Sequence, residues 1–456
     1  MIIVKSFDLI VIGGGTAGMN LVYRAAGKDW KVAVIESSYL GGTCVNVGCI
    51  PSKTLLHSGR VMQKVRDAGD YGIIVEAPRV DWPAVVRRKD RLVGRIRSRS
   101  YDNVERNENI TLIEGEAEFI GPRAIEVNGE KITAAKIVIA AGARTAIPQI
   151  SGLDRVDYLN STSFMDMQKL PHSLLILGGG IIALEFSQLF ARLGVDVTIL
   201  QRGKRLVKAL EPEISDEICS ILEGEGVVVK TNTEIIEVGN EELGVYVVDK
   251  TDNGPVHYRA EKLLLAAGRT PNSDRLKVER AGIEIDEGGF VKVDSNYKTT
   301  AEGIWAIGDV IGGMMFTHVA WHDAFLLSGY LLNGREIPAG NRLIPFAIFT
   351  EPEISGVGMG EEEANKAGYE VKIQRFYFAH HGRALAAMET KGFVKLVIDK
   401  TNEKILGAHI IGPSAGEIIH ELVAAIRFGA SVYDLQEMMH IHPTLTEAIN
   451  SAAWSG

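Results

Sequence analysis

The sequence predicts an α/β protein made of two Rossmann-like modules and a C-terminal α+β region. Three observations carry this prediction. A β-branched run opens into a glycine-rich turn and a helical stretch over residues 7–27. The same pattern returns over residues 173–193. From about Asn341 strands and helices alternate without any such turn. A chain of 456 residues suits about three domains of roughly 150 residues each.

The first module reads Phe7-Asp8-Leu9-Ile10-Val11-Ile12, a strand, then Gly13-Gly14-Gly15-Thr16-Ala17-Gly18, then a helix to about Gly27. A second strand over 31–35 ends in Glu36. Gly13, Gly15 and Gly18 stand in the G-x-G-x-x-G spacing, between strand and helix, with an acid at the expected distance. That is the dinucleotide fingerprint in its required context. The glycines let the backbone approach a pyrophosphate at the helix N-terminus, where free N–H groups favour anions. Glu36 would receive ribose hydroxyls. The second module has a strand at 173–177, then Gly178, Gly180 and Ala183 in a G-x-G-x-x-A variant, a helix to about Leu193 and a strand at 196–200. Two modules imply two nucleotide cofactors. Glu36 lies 23 positions after Gly13, and the residue at the same offset from Gly178 is Gln201, followed by Arg202, Lys204 and Arg205. A carboxylate there repels a 2′-phosphate, whereas an amide beside cations accepts one. The second module is therefore expected to favour NADP(H) over NAD(H).

Composition narrows the class. Apolar residues make up 46% and charged residues 23%, enough for a large core. The net charge is −9 and no basic block occurs, which argues against nucleic acid and anionic membrane as partners. No apolar run reaches 18 residues, so no spanning helix is expected. The first residues, with Lys5 and Asp8, run straight into a strand and lack the regions of a secretory signal. A cytoplasmic location is expected.

Only three cysteines occur, and two of them, Cys44 and Cys49, share the run Gly41-Gly42-Thr43-Cys44-Val45-Asn46-Val47-Gly48-Cys49-Ile50-Pro51-Ser52-Lys53. A pair this close in a cysteine-poor chain reads as a redox couple. The competing readings are an inert pair, or half of a zinc site that needs two more ligands. Five helical residues rise about 7.5 Å, beyond the roughly 7 Å that a disulfide spans. The segment must therefore break its helix, and Gly48 offers the backbone freedom. Cys219 falls in an acidic helical stretch at 212–224 and reads as structural.

Together the cysteine run, both glycine turns, Ala306-Ile307-Gly308-Asp309 and His440-Ile441-His442-Pro443-Thr444-Leu445-Thr446-Glu447 resemble the pyridine nucleotide–disulfide oxidoreductases. Dihydrolipoamide dehydrogenase, glutathione reductase and mercuric reductase belong to that family. The resemblance covers essentially the whole chain. It implies an FAD domain at 1–150, an NAD(P) domain at 151–272, a segment at 273–340 completing the FAD domain, and a dimer-interface domain at 341–456. It also implies FAD contacts at Gly13, Gly15, Ala17, Gly18, Glu36, Gly42, Thr43, Lys53, Ala117, Gly142, Asp309, Met315, Thr317 and His318. Nicotinamide-nucleotide contacts fall on Gly178, Gly180, Ile182, Glu185, Gln201, Arg202 and Gly268. A Lys53–Glu185 pair is expected beside both rings, because a buried carboxylate needs a partner.

The chemistry implied is hydride transfer from nicotinamide to flavin and then two electrons to a Cys44–Cys49 disulfide. Cys49 lies on the flavin side and Cys44 is the exchanging thiol. His442 is the base and Glu447 orients it, contributed by the other subunit of a homodimer. Pro443 restricts the His442 backbone. His440-x-His442 is not matched by a converging ligand set, so no metal site is expected. The departures point in different directions. The chain ends without the cysteine pair of mercuric reductases, yet residues 197–202 and Arg383-Ala384-Leu385 resemble that branch. The first helix offers Asn20, Tyr23 and Arg24 where glutathione reductases place arginines. The expectation is a dihydrolipoamide dehydrogenase-like NAD(P)H:disulfide reductase acting on a small disulfide or dithiol. The alternatives are a metal-ion or quinone reductase and a low-turnover flavin-bound sensor.

Overall fold

The computed structural model describes residues 5–242, 244–338 and 342–455. The expected boundary at 340/341 falls outside the described residues, as do the first four residues and Gly456.

The first sheet is centred on Lys5–Ile12, which pairs in parallel with Val32–Glu36 on one side and Glu130–Ile139 on the other. Ile110–Glu114 extends the first side in parallel. Ala124–Val127 and Ala117–Gly121 fold back antiparallel beyond the second. Ile304–Ala306, from much later in the chain, also pairs in parallel with Glu130–Ile139. Leu9, Ile10, Val11 and Ile12 are all buried, as a central parallel strand covered on both faces requires. The second sheet is wholly parallel, in the order Val228–Lys230, Asp196–Leu200, Ser173–Leu177, Lys262–Leu265, Leu159–Asn160. An antiparallel sheet of Ile235–Glu241, Gly244–Thr251 and Gly254–Ala260 adjoins it.

Seven helices position the site. α1 (Thr16–Ala26) follows the first glycine turn; α2 (Gly42–Asn46) and α3 (Cys49–Arg66) carry the cysteines; α4 (Trp82–Glu105) packs on α3. α5 (Ile181–Arg192) follows the second glycine turn, α6 (Pro212–Gly224) holds Cys219, and α7 (Thr317–Asn333) packs along α1. α3 also packs on α5, with Gly59 close against Leu189. Among the described residues no helix is long and apolar enough to cross a membrane.

The C-terminal part is a five-stranded antiparallel sheet in the order Phe346–Ile348, Glu353–Gly358, Ile405–Gly412, Phe393–Asp399, Val371–Tyr377. The helices Ala415–Arg427 and Glu447–Ala453 pack on it. Charged side chains join this sheet to the second module. The Lys395 ammonium, 1% exposed, meets the carboxylates of Glu211, Glu213 and Glu361. These three acids converge closely enough to suit a cation, and the lysine sits among them. Arg192 of α5 bonds Glu225 at 2.7 Å and also Glu351. Arg60 of α3 reaches Glu353 at 2.8 Å.

Candidate active site

The two cysteines sit on different helices. Cys44 lies inside α2, Val47 and Gly48 break the helix, and Cys49 opens α3. Gly48 is required by space rather than by a left-handed backbone. Its φ is −138°, and a Cβ there would meet the Thr43 carbonyl oxygen at 2.8 Å. Asn46, between the cysteines, fixes α2 by donating to the carbonyls of Leu40 (3.1 Å) and Gly42 (2.9 Å). Arg97 Nε donates to the side-chain Oδ1 of Asn46 at 2.7 Å, and its guanidinium lies over the Tyr39 ring.

Both cysteines are thiols here. Cys44 donates to Cys49, and that bond is the largest influence bringing Cys49 down to about 6. Burial opposes the shift, while the Thr317 hydroxyl, 3.1 Å from Cys49 Sγ, and the Lys53 charge assist it. The same bond, reinforced by burial, pushes the Cys44 thiol up. The surroundings thus favour the anion on Cys49 over Cys44. Thr317 opens α7, so the positive helix end also faces this sulfur.

Lys53 stands four residues after Cys49 on the same face of α3. Its ammonium binds both oxygens of Glu185 at 2.9 Å, 132 positions away. The Glu185 side chain is 4% exposed and also accepts from the Phe349 N–H at 3.0 Å. Lys53 lies 4.6 Å from the centre of the Phe349 ring. Three parts of the chain thus converge beside the dithiol.

At the first glycine turn, Glu36 accepts from Gly14 N (2.7 Å) and Ser38 N (2.8 Å). A Cβ on Gly18 would lie 1.9 Å from the Gly13 carbonyl oxygen, so only glycine permits this approach of helix to strand. No side chain caps α1 at Gly15 or α5 at Gly180, and beyond Gly180 the space is open. A cavity of about 80 Å³ lies at the strand ends, lined by Gly13, Glu36, Gly115, Ala117 and Asn272 among others. An uncapped helix N-terminus, an acid at the strand end and a cavity between them fit the adenosine diphosphate half of a dinucleotide.

The remaining residues fall around this frame. Ala143–Thr145 pairs antiparallel with Arg269–Pro271, and Gly142 and Gly268 mark the two ends of this ladder, their carbonyls accepting from Asn272 N and Ala146 N, each at 3.0 Å. Burial raises Asp309, and Arg269 lies 3.7 Å from it. Met315 is half-buried beside α7, Thr43 is exposed, and His318 shares a 2.7 Å hydrogen bond with the Pro345 carbonyl. Ile182 is half-buried in the first turn of α5. Gln201 donates to the Arg205 carbonyl at 3.2 Å, and Arg205 is paired with Asp216. Arg202 and Lys204 are exposed.

His442 Nδ1 lies 3.0 Å from Glu447, whose other oxygen accepts from Thr444 N at 2.7 Å. The Thr444 N–H, then the imidazole, hold the Glu447 carboxyl low. The His442–Pro443 bond is cis. The His442 side chain is 81% exposed, and among the described residues no hydrogen bond joins it to either thiol. Two other histidines lie in this region. His440 pairs with Glu421 at 2.9 Å. His381 is buried near the His442–Glu447 pair. Sequence reasoning passed over Asn46 and over Thr16, whose hydroxyl is within reach of Cys44. Their signals were positional: one between the cysteines, the other opening α1.

A dithiol between two dinucleotide-type turns, with its anion held at a helix N-terminus, defines a redox enzyme that moves electron pairs through sulfur. The chain belongs to the pyridine nucleotide-disulphide oxidoreductases: that family matches residues 7–324, and its dimerisation domain matches residues 344–453. It is 37% identical to a mercuric reductase of Lysinibacillus sphaericus, over 98% of this chain and 82% of that one. It is 35% identical to a dihydrolipoyl dehydrogenase of Thermus scotoductus, over 98% and 97%. Among solved structures it resembles the Cu(II) complex of the HOCl-induced flavoprotein disulfide reductase RclA from Escherichia coli. There the TM-score is 0.90 and the identity 31%, over 99% of both chains. The protein is an oxidoreductase of this flavoprotein class, whose members bind FAD and use NAD(P).

Proposed function

We propose that this chain is an NAD(P)H:disulfide oxidoreductase with dihydrolipoamide dehydrogenase-like chemistry, working as a homodimer. The reaction balances as NAD(P)H + H⁺ + RSSR giving NAD(P)⁺ + 2 RSH. The observation that carries it is the pair of neighbouring free thiols, Cys44 and Cys49, with Cys49 Sγ 3.1 Å from the Thr317 hydroxyl at the start of α7. Bound FAD supplies the exchange of two electrons between the nicotinamide hydride and this sulfur pair. Gly13, Gly15, Ala17, Gly18, Glu36, Gly42 and Thr43 would hold it, with Ala117, Gly142, Asp309, Met315 and His318 around its remainder. Gly178, Gly180, Ile182, Gln201, Arg202 and Gly268 would hold the nicotinamide nucleotide, with Lys53 and Glu185 between the two.

Cys44 must lose its proton before it can attack, and the raised thiol makes a base necessary. His442 of the partner subunit takes that role, held in orientation by the carboxylate at 3.0 Å. Its exposure on one chain suits a residue that completes its site across a two-fold axis. Cys44 then forms a mixed disulfide with one half of the substrate, and the imidazolium protonates the departing thiolate. Cys49 attacks Cys44, the second thiol leaves, and the Cys44–Cys49 disulfide closes. The neutral Gln201 beside exposed Arg202 and Lys204 favours NADP(H).

The test is turnover of the FAD-loaded protein with NADPH or NADH and with lipoamide or glutathione disulfide. Cys44→Ser should abolish disulfide reduction, and full activity of that variant would refute the reading. A preference for NADH above tenfold, about 1.4 kcal/mol, would overturn the nucleotide assignment. A second reading is favoured by the mercuric reductase relative and by the copper complex of RclA: two adjacent soft thiols also suit a thiophilic metal ion as acceptor. Turnover with Hg²⁺ or Cu²⁺ but with no disulfide would select it.

A further inference from the structure

Asp323 of α7 is a buried carboxylate outside the dithiol chemistry, only 1% exposed. Three donors hold it. The Tyr297 hydroxyl donates to Oδ1 at 2.9 Å, the Gly308 N–H to Oδ2 at 3.0 Å, and Arg342 to Oδ1 at 2.6 Å. Among the described residues Arg342 is its one ion-pair partner. A carboxylate taken out of water is costly unless such bonds and a counter-charge remain.

The donors come from separate parts of the chain. Tyr297 precedes the strand Ile304–Ala306, Gly308 opens the short 3₁₀ turn Gly308–Ile311 that follows this strand, and Arg342 stands just ahead of the C-terminal sheet. Gly308 is wedged between two helices. Its φ is +74°, and a Cβ there would lie 3.3 Å from Ala17 Cβ on α1 and 3.5 Å from Ala320 Cβ on α7. The bond from its N–H to Asp323 therefore fixes the backbone from which the next residue, Asp309, departs. Arg342 is itself held in place. The same Nη1 lies 3.3 Å from His322 Nδ1. An arginine only donates, so this ring nitrogen accepts and the His322 proton sits on Nε2.

We propose that Arg342 is a cofactor-positioning residue: by neutralising Asp323 it pins the Gly308 N–H, and so sets the side chain of Asp309 for contact with FAD. The inference rests on the reading of Asp309 as an FAD contact. Without the guanidinium, Asp323 keeps two uncharged donors against a full charge. It then takes up a proton or draws water in, and a protonated carboxyl holds the Gly308 N–H less tightly than an anion does. The turn that presents Asp309 loses its pin. The first glycine turn keeps its own bonds, those of Glu36 to Gly14 N and Ser38 N. The loss therefore falls on the part of FAD beyond its adenosine diphosphate half.

The experiment follows FAD release from the full-length, FAD-loaded protein, read as the rise of free-flavin fluorescence after dilution. Arg342→Ala should release FAD about ten- to hundredfold faster than the wild type, the range that a hydrogen bond to a charged group contributes. Arg342→Lys returns a cation and should restore most of the retention, whereas the neutral Arg342→Gln should stay fast. After FAD is removed, the affinity for ADP should be the same in the wild type and in Arg342→Ala, since a general loss of structure would weaken both ligands. Circular dichroism establishes that each variant is folded, and if Arg342→Ala is not, Arg342→Gln decides. Release at the wild-type rate from the folded variant, or a parallel loss of ADP binding, overturns the inference. Asp309→Asn separates the two readings. If it keeps FAD as the wild type does, the FAD assignment of Asp309 fails. If it releases FAD quickly while the Arg342 variants do not, only the role of Arg342 fails.

Discussion

Replacing Thr317 by valine removes one hydroxyl and keeps the shape of the first turn of α7. That hydroxyl lies 3.1 Å from Cys49 Sγ and helps bring the thiol down to about 6. A hydrogen bond to a charged group contributes about 1.5–3 kcal/mol, and one pKa unit corresponds to about 1.4 kcal/mol. The bond from Cys44, the Lys53 charge and the helix end all remain, so Cys49 in Thr317→Val should titrate at about 7–8 rather than about 6. A lowered thiol is an anion above its pKa, so between pH 6 and 7 the variant should hold much less thiolate than the wild type. The assay is a pH titration of the two-electron-reduced protein under anaerobic conditions, following the long-wavelength absorbance of a thiolate lying against oxidised flavin. Alkylation rates by iodoacetamide give an independent reading. An unchanged midpoint, or one displaced to lower pH, would refute the assignment of the anion to Cys49 at the end of α7.

Two more predictions follow from the same structure. Glu447→Gln keeps the size of the residue but removes the charge 3.0 Å from His442; kcat for disulfide reduction should fall roughly 10²-fold while anaerobic flavin reduction by NADPH keeps its rate. Stopped-flow measurement of both half-reactions checks this. Lys395→Met leaves Glu211, Glu213 and Glu361 facing one another without their shared ammonium; urea denaturation should show a loss of about 3–5 kcal/mol.

The sequence carried those features whose cause is local. The two glycine turns, the strands before them and the acid or amide after them follow from steric need within some 25 residues. The observed elements Ser173–Leu177, Asp196–Leu200 and Pro212–Gly224 match the expected ranges. The cysteine spacing also required a broken helix, and the break is at Val47 and Gly48. At Gly48 the structure adds a second reason for glycine, the close approach of the Thr43 carbonyl five residues earlier. What sequence alone did not reach was long-range charge pairing. Lys395 reads as a polar residue in an apolar strand until α6 brings two glutamates to it. Lys53 and Glu185 were paired only through the resemblance, since each alone is an ordinary helix charge. The direct contact of Thr317 with Cys49 joins positions 268 residues apart, which no spacing rule connects.

α3 has a consequence beyond chemistry. Along its length the sulfur sits at the first residue, the grip on α5 comes one turn later through Lys53, and Arg60 takes hold of Glu353 further along. The helix after the second glycine turn, the sulfur of Cys49 and the C-terminal sheet are thereby bolted to one rod. Their spacing is set when the chain folds. Whatever loosens that rod should silence nicotinamide oxidation and thiol exchange in a single step, because neither half-reaction owns a scaffold of its own.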